Sequence, residues 1–128
     1  GSQATAFEHR SFAEELTLCQ RYFTKTYDQD SYAGTAEYSG AFQQRSGTSS
    51  ASALFSLELP VLMRTTPTVV TYGTTAATNA SGKIRGSGDA VITPTVDART
   101  SPRTIGLTYT PNQSNTYASG HYTADAEL

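Results

Sequence analysis

The stretch Ala53-Leu54-Phe55-Ser56-Leu57-Glu58-Leu59-Pro60 decides the fold. Phe55, Leu57 and Leu59 alternate with Ser56 and Glu58, the period of two that gives a strand one buried face and one wet face. Pro60 has no N–H to offer a ladder and ends the strand. The same texture runs outward on both sides, as short β-favouring segments separated by Gly, Ser, Asn and Pro. It predicts strands near 35–43, 53–59, 68–73, 90–96, 104–110 and 117–126, with a shorter one near 82–86, the spacing of an all-β sandwich or barrel. Val69 and Val70 give no clean alternation, and Pro67 places the start of their segment at a turn or sheet edge. Thr74 to Gly82 and Ser46 to Ser52 read as loops, being small and polar throughout.

One segment breaks the β pattern. Phe12, Leu16, Cys19 and Phe23 recur at helical spacing, which predicts one helix near the start with these four side chains turned into the core. Ser11 followed by Glu14 fits a capping box and fixes the start. Glu14 and Glu15 in the first turn, with Arg21 and Lys25 near the end, suit the helix dipole. The helix is expected to stop near Phe23 or Thr24.

Composition agrees. The chain has 128 residues, enough for one compact core and too few for two ordinary domains. Its 14 Ser and 21 Thr outnumber 8 Leu, 5 Val and 3 Ile, and 8 Tyr and 5 Phe stand with no Trp, which favours half-polar strands over a helical bundle. Nine basic residues against eleven acidic ones, scattered along the chain, give a formal net charge of -2 and no stripe for tracking phosphates, which argues against nucleic acid. A single cysteine, Cys19, excludes an intrachain disulfide and a cysteine-rich zinc site; on the apolar helix face it is expected to be an inert buried thiol. No run is apolar and long enough for a membrane-spanning helix. Gly1-Ser2 reads as the scar of a cleaved expression tag, leaving residues 3–128 as one domain, and the missing initiator Met reads as a C-terminal piece of a longer protein.

Three pieces of sequence carry a family resemblance. Ala6-Phe7-Glu8-His9-Arg10, Glu14-Glu15-Leu16 and Leu18-Cys19-Gln20-Arg21-Tyr22-Phe23 together form the first. Pro60-Val61-Leu62-Met63-Arg64 with Thr66-Pro67-Thr68-Val69 forms the second, and the closing Asp125-Ala126-Glu127-Leu128 the third. In this order they resemble the C-terminal domain of tailed-bacteriophage tail fibre and minor tail (receptor-binding) proteins. The resemblance implies a jelly-roll-like antiparallel β-sandwich with one short N-terminal α-helix, at the distal, extracellular tip of a virion appendage, joined to the upstream fibre and commonly trimeric. Asp28 to Ser52 and Tyr72 to Asp89 match nothing in the family pattern, and such segments are where ligand-binding loops would vary.

Candidates for catalysis fall away one by one. His9 and His121 lie far apart, outside any metal-binding frame. Asp28-x-Asp30 opens like a calcium loop, but Ala33 and Ser39 stand where an EF-hand needs Gly and Glu. Gly82-Lys83 and Gly86-Ser87-Gly88 lack the rest of a phosphate loop. No serine sits in a nucleophile elbow, and no spacing singles out a carboxylate pair, although folding could bring Asp89 and Asp97 together. Neither an enzyme nor a metal or other cofactor is therefore expected.

Tyrosine is the enriched group able to bind, since its ring stacks while its hydroxyl hydrogen-bonds, and sugars present both kinds of surface. Two places put a Tyr beside small polar acceptors in a predicted loop: Tyr32 with Asp28 and Asp30, and Tyr117 with Asn112 and Asn115. Either could hold a ligand, carried on the irregular stretches 24–34, 74–82 and 111–116. For a single Tyr the plainer role is to edge a sheet in a protein without Trp. Low charge suits neutral glycans. The expected function is a non-enzymatic receptor-binding or carbohydrate-binding domain attaching a phage tail-fibre tip to a host glycan. The alternatives are a structural trimerisation cap of the fibre and a carbohydrate-binding module of a polysaccharide-degrading enzyme.

Overall fold

The computed structural model describes residues 11–28, 30–45, 52–114 and 116–127. Helix α1 (Phe12–Gln20) is followed by β1 (Phe23–Lys25), β2 (Phe42–Arg45), β3 (Ala53–Glu58), β4 (Thr68–Tyr72), β5 (Ile84–Arg85), β6 (Val91–Ile92), β7 (Thr95–Val96), β8 (Thr104–Tyr109) and β9 (Tyr117–Asp125). Every strand pairing is antiparallel. The strands form a six-stranded sheet organised on β9 and a three-stranded sheet in the order β3-β8-β7. The fold is an all-β sandwich with one short helix, as the spacing of the β-favouring segments and the single helical stretch predict.

The inner faces of the two sheets supply one core. Phe42, Ile84, Ile92, Ala118, Tyr122 and Ala124 come from the larger sheet, and Phe55, Ile105, Leu107 and Tyr109 from the smaller. The Phe42 ring meets Phe55 edge to face at 5.3 Å, and Phe55 stacks on Tyr109 at 4.9 Å, so an aromatic chain links the layers. In β3, Phe55 is buried while Leu54, Ser56 and Glu58 face water, with Leu57 between these extremes.

Strand β9 is the spine. Thr123 to Asp125 pair with both β1 and β4, and Ser119 with both β2 and β5, so partners occupy both edges of the strand along its length. Its even-numbered residues Ala118, Tyr122 and Ala124 enter the core. Gly120 lies in the same row, and a Cβ there would stand 2.8 Å from the Tyr72 carbonyl oxygen and 3.2 Å from the Phe42 ring.

The helix and two of the strand expectations are corrected. Ser11 does cap the helix, accepting the Glu14 N–H at 3.2 Å, but α1 ends at Gln20 and buries none of its residues. Phe12 is 72% exposed, Cys19 is exposed and Leu16 only half-buried. Phe23 lies in β1, because the free edge of β9 takes the chain there: Ala126 donates to the Tyr22 carbonyl and Thr26 to that of Tyr122. An open edge with extended β-branched Thr24 and Thr26 beside it outweighs one more helical turn.

The segment expected as a strand over 35–43 is irregular until Phe42, with Gly40 at φ +78°. The segment over 90–96 divides at Thr93-Pro94: β6 pairs with β5 and β7 with β8, so the proline, which cannot donate to a ladder, stands where the chain changes sheets. The stretch 74–82 is the loop expected, and a tight one: Thr74 and Thr78 are buried and Thr78 closes a turn on Gly73 and Thr75. The first part of the family resemblance, Ala6 to Arg10, and most of the loop Ser46 to Ser52 lie outside the described residues, as does His9.

Candidate functional site

The odd-numbered residues of β9 face away from the core, and at His121 a second layer covers them. His121 is fully buried. Its Nε2 is 2.9 Å from the Glu37 carbonyl oxygen and must donate to it, so the neutral ring accepts at Nδ1 from the Thr26 hydroxyl, also 2.9 Å away. The same Thr26 oxygen accepts the Tyr122 N–H at 2.9 Å. Tyr27 stacks on the imidazole at 3.8 Å, and its hydroxyl accepts the Gly34 N–H. Burial holds His121 below the ordinary imidazole range, against a smaller opposing pull from the Glu37 carbonyl and from the charges of Glu37 and Asp28. Burial likewise raises the Tyr27 hydroxyl. This arrangement is a polar brace that ties Thr26 and Glu37 to β9 through both imidazole nitrogens.

Beside the brace the same outer face opens into a depression. Antiparallel register places Gln43 and Arg85 on either side of Ser119, so the three side chains form one cross-strand row. Thr74 reaches the row from the turn after β4, its hydroxyl 3.4 Å from that of Ser119. Tyr38 stands over the other side with its ring centre 5.9 Å from the Arg85 guanidinium carbon, and the residue is 65% exposed. Together with Ala41 and Phe42 these residues enclose about 180 Å³. That is below the roughly 300–1,000 Å³ of sites for drug-sized ligands, and fits one small ring.

Arg85 is oriented from behind. Its Nε donates to Asp89 Oδ1 at 2.6 Å. Asp89 closes a short 3-10 turn (Ser87–Asp89) and has φ +61°, a left-handed value uncommon for any residue but Gly. The turn is pinned by Asn112, whose Oδ1 accepts the Ser87 N–H and whose Nδ2 donates to the Ser87 carbonyl, both at 3.0 Å. Gly86 allows this close approach, since a Cβ there would collide with the Asn112 amide.

The two groups foreseen from sequence are placed as follows. Asp28, Asp30 and Tyr32 are all exposed, Tyr32 at 85%, and no side-chain hydrogen bond joins them among the described residues. Asn112 faces the Ser87 turn, whereas Tyr117 sits in β9 opposite Arg45, whose guanidinium lies 5.8 Å from its ring centre. Asn115 lies outside the described residues. Asp89 and Asp97 are each engaged with a nearby arginine, Arg85 and Arg99; the Arg99 N–H, and then its guanidinium, hold the Asp97 carboxyl below the usual range. Tyr38 and Arg85 escaped sequence reasoning because a strand over 35–43 hides Tyr38, and only the β5–β9 register reveals the partner of Arg85.

No cluster of three or more metal-ligating side chains occurs among the described residues. Compared with protein-family models, curated proteins and solved structures, the chain finds no match.

Proposed function

We propose that this chain is a non-enzymatic receptor-binding domain at the extracellular tip of a tailed-phage tail fibre, attaching the virion to a glycan on the host surface. The observation that carries the reading is the outer-face depression, where an exposed Tyr38 stands over the Gln43–Ser119–Arg85 row. A flat ring beside fixed donors and acceptors is the combination a sugar needs, because its C–H face stacks while its hydroxyls bond. Gln43, Arg85 and Ser119 stand on paired strands of the sandwich, which lowers the cost of holding them in place, while Tyr38 comes from the irregular segment before β2.

The distribution of the family landmarks supports the same reading. Arg64 joins all three: its N–H donates to the Arg21 carbonyl after α1, its Nε to the Ala126 carbonyl, and its guanidinium lies 5.7 Å from the Tyr22 ring centre. The described parts of the three resembling pieces are thus tied together at Arg64. In this reading the partners are a host glycan, the upstream fibre and two further copies of the chain. Neither a metal nor an organic cofactor is called for.

A second reading, a structural cap that trimerises the fibre, is favoured by one observation. Phe12, Leu18, Tyr22 and Phe23 leave apolar surface exposed around α1. Binding of the labelled full chain to a panel of bacterial strains separates the two. Adhesion that is competed by polysaccharide extracted from the bound strain, and lost in Tyr38→Ala, supports recognition. A folded trimer that adheres to no strain supports the cap.

A further inference from the structure

We propose that the depression takes an acid sugar, a pyranose bearing a carboxylate, with the Arg85 guanidinium as the partner of that carboxylate; this deepens the glycan reading above and rests on it. Among the described residues that enclose the depression, Arg85 alone is charged. Its side chain is 29% exposed and commits only Nε, to Asp89 Oδ1, so that among the described residues the Nη donors have no hydrogen-bond partner. A guanidinium presents its donors as a planar fork that matches a carboxylate, and such bonds are stronger than those between neutral groups. The formal net charge of -2 describes the whole chain; the ligand meets the lining, where the charge is positive.

Asp89 stands outside the lining and holds the guanidinium by its Nε side, from the turn that Asn112 clasps. Its charge offsets part of that of Arg85, which limits the anion that fits. A carboxylate adds a single negative charge, whereas a phosphate monoester carries about −1.5 to −2 at pH 7 and calls for more cations than the lining holds. The neutral neighbours suit the rest of the sugar. Ser119 lies between Gln43 and Arg85 in one cross-strand row, so a ring whose carboxylate meets Arg85 has the Ser119 hydroxyl and the Gln43 amide beside its own hydroxyls. Thr74 backs Ser119 at 3.4 Å, and the exposed Tyr38 ring, next to the guanidinium, offers a face for the sugar's C–H groups.

The test is titration of the full chain, followed by NMR, with the methyl glycosides of glucuronate, galacturonate and mannuronate, their primary amides, the neutral methyl hexosides and glucose 6-phosphate. At least one acid is expected to bind, and its amide, of nearly the same shape but without charge, to bind about tenfold more weakly. Arg85→Gln should bring the acid down to the level of the amide and leave the amide unchanged, which isolates the pairing of carboxylate and guanidinium. Arg85→Lys, which keeps the charge and loses the fork, should fall between. Should Arg85→Gln fail to fold, the comparison of acid with amide on the wild-type chain decides. An amide or neutral hexoside that binds as tightly as the acid, preference for glucose 6-phosphate, or equal losses of acid and amide in an Arg85→Gln chain with an unchanged unfolding midpoint overturns this inference and leaves the glycan reading standing. Adhesion to cells by a chain that binds none of the acids does the same. Failure of every sugar to bind, together with failure to adhere to cells, overturns both.

Discussion

Replacing His121 with Phe tests how the outer layer is held on β9. The Phe ring keeps the planar surface that Tyr27 stacks on at 3.8 Å, and so isolates the two hydrogen bonds of the imidazole. The Glu37 carbonyl loses its donor, which costs about 1–3 kcal/mol if it is left unsatisfied. The Thr26 hydroxyl loses its acceptor but keeps the Tyr122 N–H and can turn to the Tyr122 carbonyl 3.5 Å away, so its share is smaller, about 0.5–1 kcal/mol. A loss of about 1.5–4 kcal/mol is a large part of the roughly 5–15 kcal/mol that stabilises a domain. Urea unfolding at pH 7.5 and at pH 5 also reads the protonation. Burial depresses the folded-state pKa of His121; below the ordinary value of about 6.5 the unfolded chain takes up a proton that the folded chain resists. Wild-type stability is thus complete above that value and falls as pH drops toward the folded one, whereas the Phe variant lacks this contribution. A variant within about 0.5 kcal/mol of wild type at pH 7.5, a cost typical of a surface change, or one with the same loss on acidification, would refute the brace.

Leu107→Ala, at a fully buried core position, should cost about 2–5 kcal/mol, while Leu16→Ala, at a half-buried position on a helix with no fully buried residue, should cost well under half as much; equal shifts in denaturation midpoint would put α1 back in the core. Gly73→Ala should destabilise by about 1–3 kcal/mol, as an added Cβ meets the Thr78 side chain and carbonyl, and thermal melts will show whether the Thr74–Thr78 turn yields instead. Light scattering of the full chain should give a trimer that covers the exposed Phe12 and Tyr22; a monomer at all concentrations would remove trimerisation from this domain.

Much of the fold is legible in the sequence wherever one strand face is wet. Phe55, Leu57 and Leu59 announce β3, and the β9 boundary is close to its expected one. Legibility fails where neighbours decide. The apolar spacing of Phe12, Leu16, Cys19 and Phe23 is helical, but the core is already filled by Phe42, Tyr122 and Phe55 from the sheets, and the β9 edge captures Phe23. The depression is illegible for a related reason. Gln43, Thr74, Arg85 and Ser119 are ordinary polar residues until register sets them in adjoining positions. Asn112, expected as a ligand acceptor, has its amide engaged with the Ser87 backbone in the structure. Tyr32 and Tyr117 stand out as loop aromatics, but one is bare and the other lies near an arginine.

The most direct measurement is a map of backbone amide shifts in the isotope-labelled full chain, titrated with polysaccharide fragments from a strain to which it adheres. Recognition at the depression predicts saturable changes centred on Tyr38, Gln43, Thr74, Arg85 and Ser119, abolished in Tyr38→Ala while the spectrum of the β3–β8 pair stays unchanged. Saturable changes centred on Tyr32, on Tyr117 or on α1, with the depression silent, would contradict it.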